Sequence, residues 1–152
     1  MQLSDAVSKA EWDNFITAHK EANFLQSWDF YEFHAMRGKT IIRRAALNDE
    51  GEIMAAYAGV IETAKRGRYL AIAGGPIMDW SKKTLRDAIF NDIREQAKAA
   101  KCVFVRIRPQ IEETPKNREL FKNLGLKPAP IYLSVEYAGI LDLNKTEEEI
   151  LA

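Results

Sequence analysis

The stretch Tyr69-Leu70-Ala71-Ile72-Ala73-Gly74-Gly75-Pro76 decides how the chain is read. Five apolar residues ahead of two glycines and a proline predict a short strand brought to an abrupt stop. Upstream, Thr40 to Leu47 and Ile53 to Thr63 are also rich in branched and apolar residues, with the turn cluster Asn48-Asp49-Glu50-Gly51 between them. Lys65-Arg66-Gly67-Arg68 makes the next turn, so the three runs predict an antiparallel meander. Downstream, Leu85, Ala88, Ile89, Ile93, Ala97 and Ala100 recur at steps of three and four, which predicts a helix from about Lys82 to Ala100. Val103 to Ile107 reads as a buried strand. Thr114-Pro115 opens a further helix with Leu120, Phe121 and Leu124 as its stripe and Gly125 as its stop. A last extended run covers Ile131 to Leu143.

Two helices precede the meander. Trp12, Phe15, Ile16 and His19 form one apolar stripe over Lys9 to Lys20. Asn23 to Gln26 reads as extended. Ser27 is placed to cap a helix from Trp28 to Arg37, with Asp29 in its first turn and Gly38 at its end. Helices grouped before and after a mainly antiparallel meander predict an α+β layered domain. Trp12, Trp28, Phe30 and Phe33 are most simply core residues, and Cys102 a buried, inert thiol.

The 152 residues, 47% hydrophobic and 29% charged, exclude a disordered, collagenous or low-complexity chain. No apolar run reaches the ~18 residues that span a bilayer, and no signal peptide is visible. One cysteine and two histidines offer no metal-ligand spacing. A cytoplasmic location is therefore expected. The net charge of zero hides a pattern: residues 34–108 carry fifteen basic and eight acidic side chains, whereas both flanks are acidic. Such a centre excludes a general polyanion binder but suits a local site for a phosphorylated ligand.

Arg106 and Arg108 alternate along a strand end, so they share one face and could hold a diphosphate or carboxylate bidentately. The alternative is an edge pair that blocks aggregation. Gly74 and Gly75 are candidates for close backbone approach to a ligand. The phosphate loop of acyl-CoA enzymes needs successive free amides, whereas here proline follows adjacent glycines and has no amide to donate. Neither His19 nor His34 has a partner that marks it as a general base. Thr146 and Glu149 form a capping box for a helix start, with Ile150 and Leu151 beginning an apolar face. This reads as the threshold of a further element.

Several of these stretches together resemble the amino-terminal half of the FemABX family of aminoacyl-tRNA-dependent transferases, which build the cross-bridges of bacterial peptidoglycan. They are Phe24-Leu25-Gln26-Ser27-Trp28-Asp29-Phe30-Tyr31-Glu32-Phe33, Tyr69 to Asp79, Phe104-Val105-Arg106-Ile107-Arg108-Pro109, and Leu141-Asp142-Leu143 with Thr146 to Leu151. The resemblance implies a GNAT-like lobe over residues 1–143, with residues 144–152 starting a helix that links to an absent second lobe. It implies binding of a UDP- or lipid-linked muropeptide, the peptidoglycan precursor, through His34, Arg106, Arg108, Gly74 and Gly75. Aminoacyl-tRNA would be the co-substrate, engaged through the second lobe, and no cofactor is implied. It further implies a place at the inner face of the membrane. Histidine stands at position 34 where some members have a diphosphate-binding lysine, and Arg108 precedes the proline where an acidic residue is common. The alternatives are a free-standing GNAT-type N-acyltransferase using acyl-CoA and a non-catalytic binding module.

Overall fold

Serine caps set the first two helices. The Ser8 side chain accepts from the Glu11 amide and Glu11 returns the bond to the Ser8 backbone, opening α1 (Lys9–Thr17). Ser27 accepts from the Phe30 amide and opens α2 (Trp28–Met36). These elements belong to a computed structural model that describes residues 1–65, 67–130 and 141–151. The strands are β1 (Gln2–Ser4), β2 (Thr40–Leu47), β3 (Ile53–Ala64), β4 (Gly67–Gly74), β5 (Ile77–Met78) and β6 (Phe104–Pro109). Three further helices are α3 (Lys83–Ala99), α4 (Pro115–Asn123) and α5 (Glu147–Leu151).

The strands form one sheet in the order β1-β2-β3-β4-β6, with β5 on the free flank of β3. Neighbours are antiparallel except β4 and β6, which run parallel because α3 crosses between them. The α3 stripe, Leu85, Ile89, Phe90, Ile93 and Ala97, packs on Tyr57, Ile61, Leu70 and Ile72 on one face of the sheet. Each large aliphatic or aromatic side chain buried there contributes about 1.5–3 kcal/mol. On the other face Trp12, Ile16 and Tyr31 rest on Ala45, Ala56, Ala58 and Val60. Small strand residues leave room for the two large rings, and α1 and α2 sit close to β2 and β3 as a result. Beneath α3 the buried Asp92 carboxylate accepts two hydrogen bonds from Arg44, at 3.1 and 3.0 Å, and one from the Tyr57 hydroxyl at 2.7 Å.

The α+β class, the meander and its helices are as the residue pattern predicts. Several details differ. Phe24–Gln26 is a turn of 3-10 helix rather than extended, because the Asn23 side chain accepts from the Leu25 amide and closes the backbone. Helix α1 stops at Thr17, so His19 lies beyond it, its Nδ1 2.8 Å from the Phe15 carbonyl oxygen. Phe33 is 53% exposed and not core, since α2 turns Tyr31 rather than Phe33 to the sheet. Strand β6 begins at Phe104, and Val103 and Phe104 are exposed rather than buried. The short strands β1 and β5 have too few residues to show a period. Of the predicted last strand, residues 131–140 lie outside the described residues. Cys102 is half-buried, and burial pushes its thiol above the usual range. Among the described residues no helix is long and apolar enough to cross a membrane.

Candidate functional site

The end of β4 is shaped by one side chain. Strands β3 and β4 pair from Ala64↔Gly67 to Val60↔Ala71, a register that would next bring Ala58 opposite Ala73. The fully buried Gln26 amide stands between them instead. Its Oε1 accepts from the Ala58 N–H at 2.9 Å, and its Nε2 lies 2.6 Å from the Ala73 oxygen and 3.1 Å from the Ala58 oxygen. Tyr31 Oη, 2.9 Å from Nε2, donates to the Ala58 oxygen at 2.6 Å, so the buried polar atoms are satisfied. Burial pushes the Tyr31 phenol well above its ordinary range and keeps it a neutral donor. The Trp12 indole donates to the Gln26 carbonyl at 2.7 Å and fixes the turn that carries the amide.

Pairing resumes beyond the wedge with a changed register: Ala56 meets Ile77 and Ala55 meets Met78. Strands β4 and β5 are thus one line of chain interrupted by an excursion through Gly74-Gly75-Pro76 that passes around Gln26. A Cβ on Gly75 would come within 2.8 Å of the Gln26 side chain, and one on Gly74, where φ is +72°, within 2.9 Å of Asn23. The close approach expected at these glycines is therefore made, on their Cα side, by the chain itself.

Beside this junction the registers lay out three rows across the α2-side face. The first runs Glu62-Tyr69-Phe104, the second Ile41-Val60-Ala71-Arg106, and the third Arg43-Ala58, Gln26, Ala73-Arg108. Tyr69 and Phe104 stack with ring centroids 4.8 Å apart and 7° between planes. Glu62 is held by Lys39 at 2.6 Å. Arg106 and Arg108 are half-buried and pair with Ala71 and Ala73. Two residues along a strand separates their Cα atoms by about 6.6 Å, a span that suits two adjacent anionic groups.

Arg43 and Arg44 of the basic centre serve the fold. Arg43 lies 3.5 Å over the Trp28 ring and donates to Glu32 at 3.0 Å, and Asp92 holds the Arg44 guanidinium in its charged form. His34 stands on α2, which packs on β2 and β3, whereas the two arginines stand on β6 beyond β4. Its ring lies edge-on to Phe30 at 4.8 Å, and among the described residues nothing pairs with its buried Nδ1. The structure thus brings Gly74 and Arg108 to one strand end and leaves His34 on the helix above the neighbouring strands. Sequence reasoning missed Gln26, Tyr69 and Phe104 as parts of this site. The sole hint was a glutamine next to a helix cap, where a polar residue needs no special reason.

A mixed, mostly antiparallel sheet with helices on both faces is a GNAT-like α+β fold. The chain belongs to the FemAB family, whose model matches residues 7–124. It is 25% identical, over 95% of its length, to a lipid II:glycine glycyltransferase of Staphylococcus aureus (strain bovine RF122 / ET3-1). It covers 37% of that protein, so the chain spans about a third of this relative's length. The crystal structure of FemX superposes with a TM-score of 0.72 at 23% identity, over 82% of this chain and 32% of the other. Glucosamine-6-phosphate N-acetyltransferase from Arabidopsis thaliana gives 0.60 at 13% identity, over 91% of this chain and all of its own. These two similarities establish the fold.

Proposed function

We propose that this lobe binds the peptidoglycan precursor, a UDP- or lipid-linked muropeptide, for an enzyme that transfers an amino acid to it from aminoacyl-tRNA. The observation that carries the reading is the placement of Arg106 and Arg108 on one face of β6, next to the Tyr69–Phe104 stack. Family membership and the similarity to a lipid II:glycine glycyltransferase support the choice of ligand. The arginines hold the diphosphate, with two planar forks suited to two phosphoryl groups. His34 supplies a polar contact from α2, and Gly74 and Gly75 line the strand end beside Arg108. The amine of the stem peptide attacks the aminoacyl ester, giving an amide and free tRNA. Positioning and oxyanion stabilisation drive that step, with no covalent protein intermediate and no cofactor.

In this reading residues 1–143 are the precursor-binding lobe. Residues 144–152 lead to a second lobe that engages the tRNA, and the work is done at the inner face of the membrane. The length of the relative supports the second lobe. The Thr146–Glu149 capping box, with Glu149 2.9 Å from the Thr146 amide nitrogen, supports a helix start there.

Calorimetric titration of a UDP-linked muropeptide into the 152-residue chain tests the reading. Saturable binding that is lost in the Arg106→Ala/Arg108→Ala double variant, with the variant still folded, is the expected result. Absence of binding, or equal binding by the double variant, refutes it. The fold neighbours favour one other reading, an acyl-CoA-dependent N-acyltransferase, and saturable binding of acetyl-CoA would support that instead.

A further inference from the structure

We propose that Gln26 is a positioning residue for the anion-binding strand end. Its amide sets the distance between Ala58 and Ala73, and the pairing of Ala73 with Arg108 carries that setting to the guanidinium. The inference rests on the site proposed above and adds the device that holds it in place.

Direct pairing would set β3 and β4 about 4.8 Å apart. An amide inserted between them, hydrogen-bonded to both backbones, roughly doubles that gap at Ala58 and Ala73. Ladder bonds at this point would satisfy the same backbone groups without the entropy cost of ordering a long side chain. Stability alone therefore does not require the wedge. What it adds is geometry. The amide is gripped from every side: Trp12 holds its backbone, Tyr31 its nitrogen, and Asn23 shapes its turn. Gly75 lies flat against it. Gly59, where an added Cβ would sit 2.9 Å from the Ala71 oxygen, lets β4 pass close over β3 just before the split. The last parallel pairs, Ala73↔Arg108 and Gly74↔Pro109, lie beyond this point, so β6 follows wherever the wedge sends β4.

The decisive variant is Gln26→Glu, which keeps the shape and removes the amide's donors. Gly75→Ala, which pushes on the amide from the opposite side, serves as the second variant if the first does not fold. Backbone amide resonances and the affinity for inorganic pyrophosphate are measured on the folded 152-residue chain. The expected result is displaced resonances at Ala73, Gly74, Gly75 and Arg108, unmoved resonances at Ala46 and Ile89, and about tenfold weaker pyrophosphate binding. A purely structural role would lower the melting temperature and leave Arg108 and the affinity alone, which overturns the proposal. Should the wild-type chain not bind pyrophosphate, the diphosphate reading fails by itself. The Arg108 resonance then decides whether Gln26 sets the strand end: displaced, that part of the proposal stands; unmoved, the whole of it falls.

Discussion

The side-chain amide of Gln26 and the backbone of Ala58 exchange hydrogen bonds as two paired strand residues would, N–H to Oε1 at 2.9 Å and Nε2 to carbonyl oxygen at 3.1 Å. A side chain thus occupies the place of a strand in the ladder. Gln26→Ala leaves the Ala58 N–H and the Ala73 oxygen without this partner and opens a cavity where the amide lay. Chemical denaturation should show a loss of about 3 kcal/mol or more. A loss below about 1 kcal/mol would mean that β4 closes directly onto β3.

Gly75 and Gln26 occupy one space. Gly75→Ala places a methyl carbon 2.8 Å from the Gln26 Cδ and should cost about 1–3 kcal/mol. Combined with Gln26→Ala the methyl gains room, so the double variant should be more stable than the sum of the single losses implies. A double-mutant cycle by urea unfolding measures this, and strict additivity would contradict the contact.

Arg44, Asp92 and Tyr57 tie β2, β3 and α3 together on the α3 face of the sheet. Asp92→Ala strands the Arg44 guanidinium in a half-buried position, and a destabilisation of about 3–5 kcal/mol is expected. Tyr57→Phe removes one hydrogen bond to the carboxylate, at about 1.5–3 kcal/mol. Thermal melts of the two variants should keep that order.

The cap of α1 carries a pH signature. Hydrogen bonds from the Ser8 hydroxyl and then the Ser8 amide hold the Glu11 carboxyl below its ordinary 4.5. A group whose pKa is lower folded than unfolded contributes its stability above the unfolded value and loses it as pH falls through the folded one. The gap in melting temperature between the wild type and Ser8→Ala should hold from neutrality to about pH 5 and narrow below pH 4.5. A gap that widens on acidification would reverse the sign.

In the proposed site Arg106 and Arg108 contact the ligand. Each change to alanine should weaken binding of an anionic probe by about tenfold or more, with steep salt dependence. Arg106→Lys should recover only part of the loss, since an ammonium lacks the fork. Calorimetry at two ionic strengths checks both statements.

Local chemistry was legible in the residues themselves. Ser27 caps α2, Thr114 accepts from the Asn117 amide before Pro115, and the Thr146–Glu149 box forms, each because donor and acceptor lie within three positions. The α3 stripe and the meander followed from periods of 3.6 and two, which need only one buried face. The resemblance to the FemABX family rested on the same short stretches. Tertiary structure alone decided where the guanidinium of each arginine in the basic centre goes. Arg43 and Arg44 are adjacent in sequence yet point to opposite faces, one to Trp28 and the other to Asp92, 48 positions away. It also decided why Gly74 and Gly75 are glycines. The side chains they make room for, Asn23 and Gln26, lie about fifty residues earlier, and no local period links them. Contacts within one turn or one strand are written in neighbouring residues, whereas a contact across the sheet exists only once register and crossover have brought its partners together.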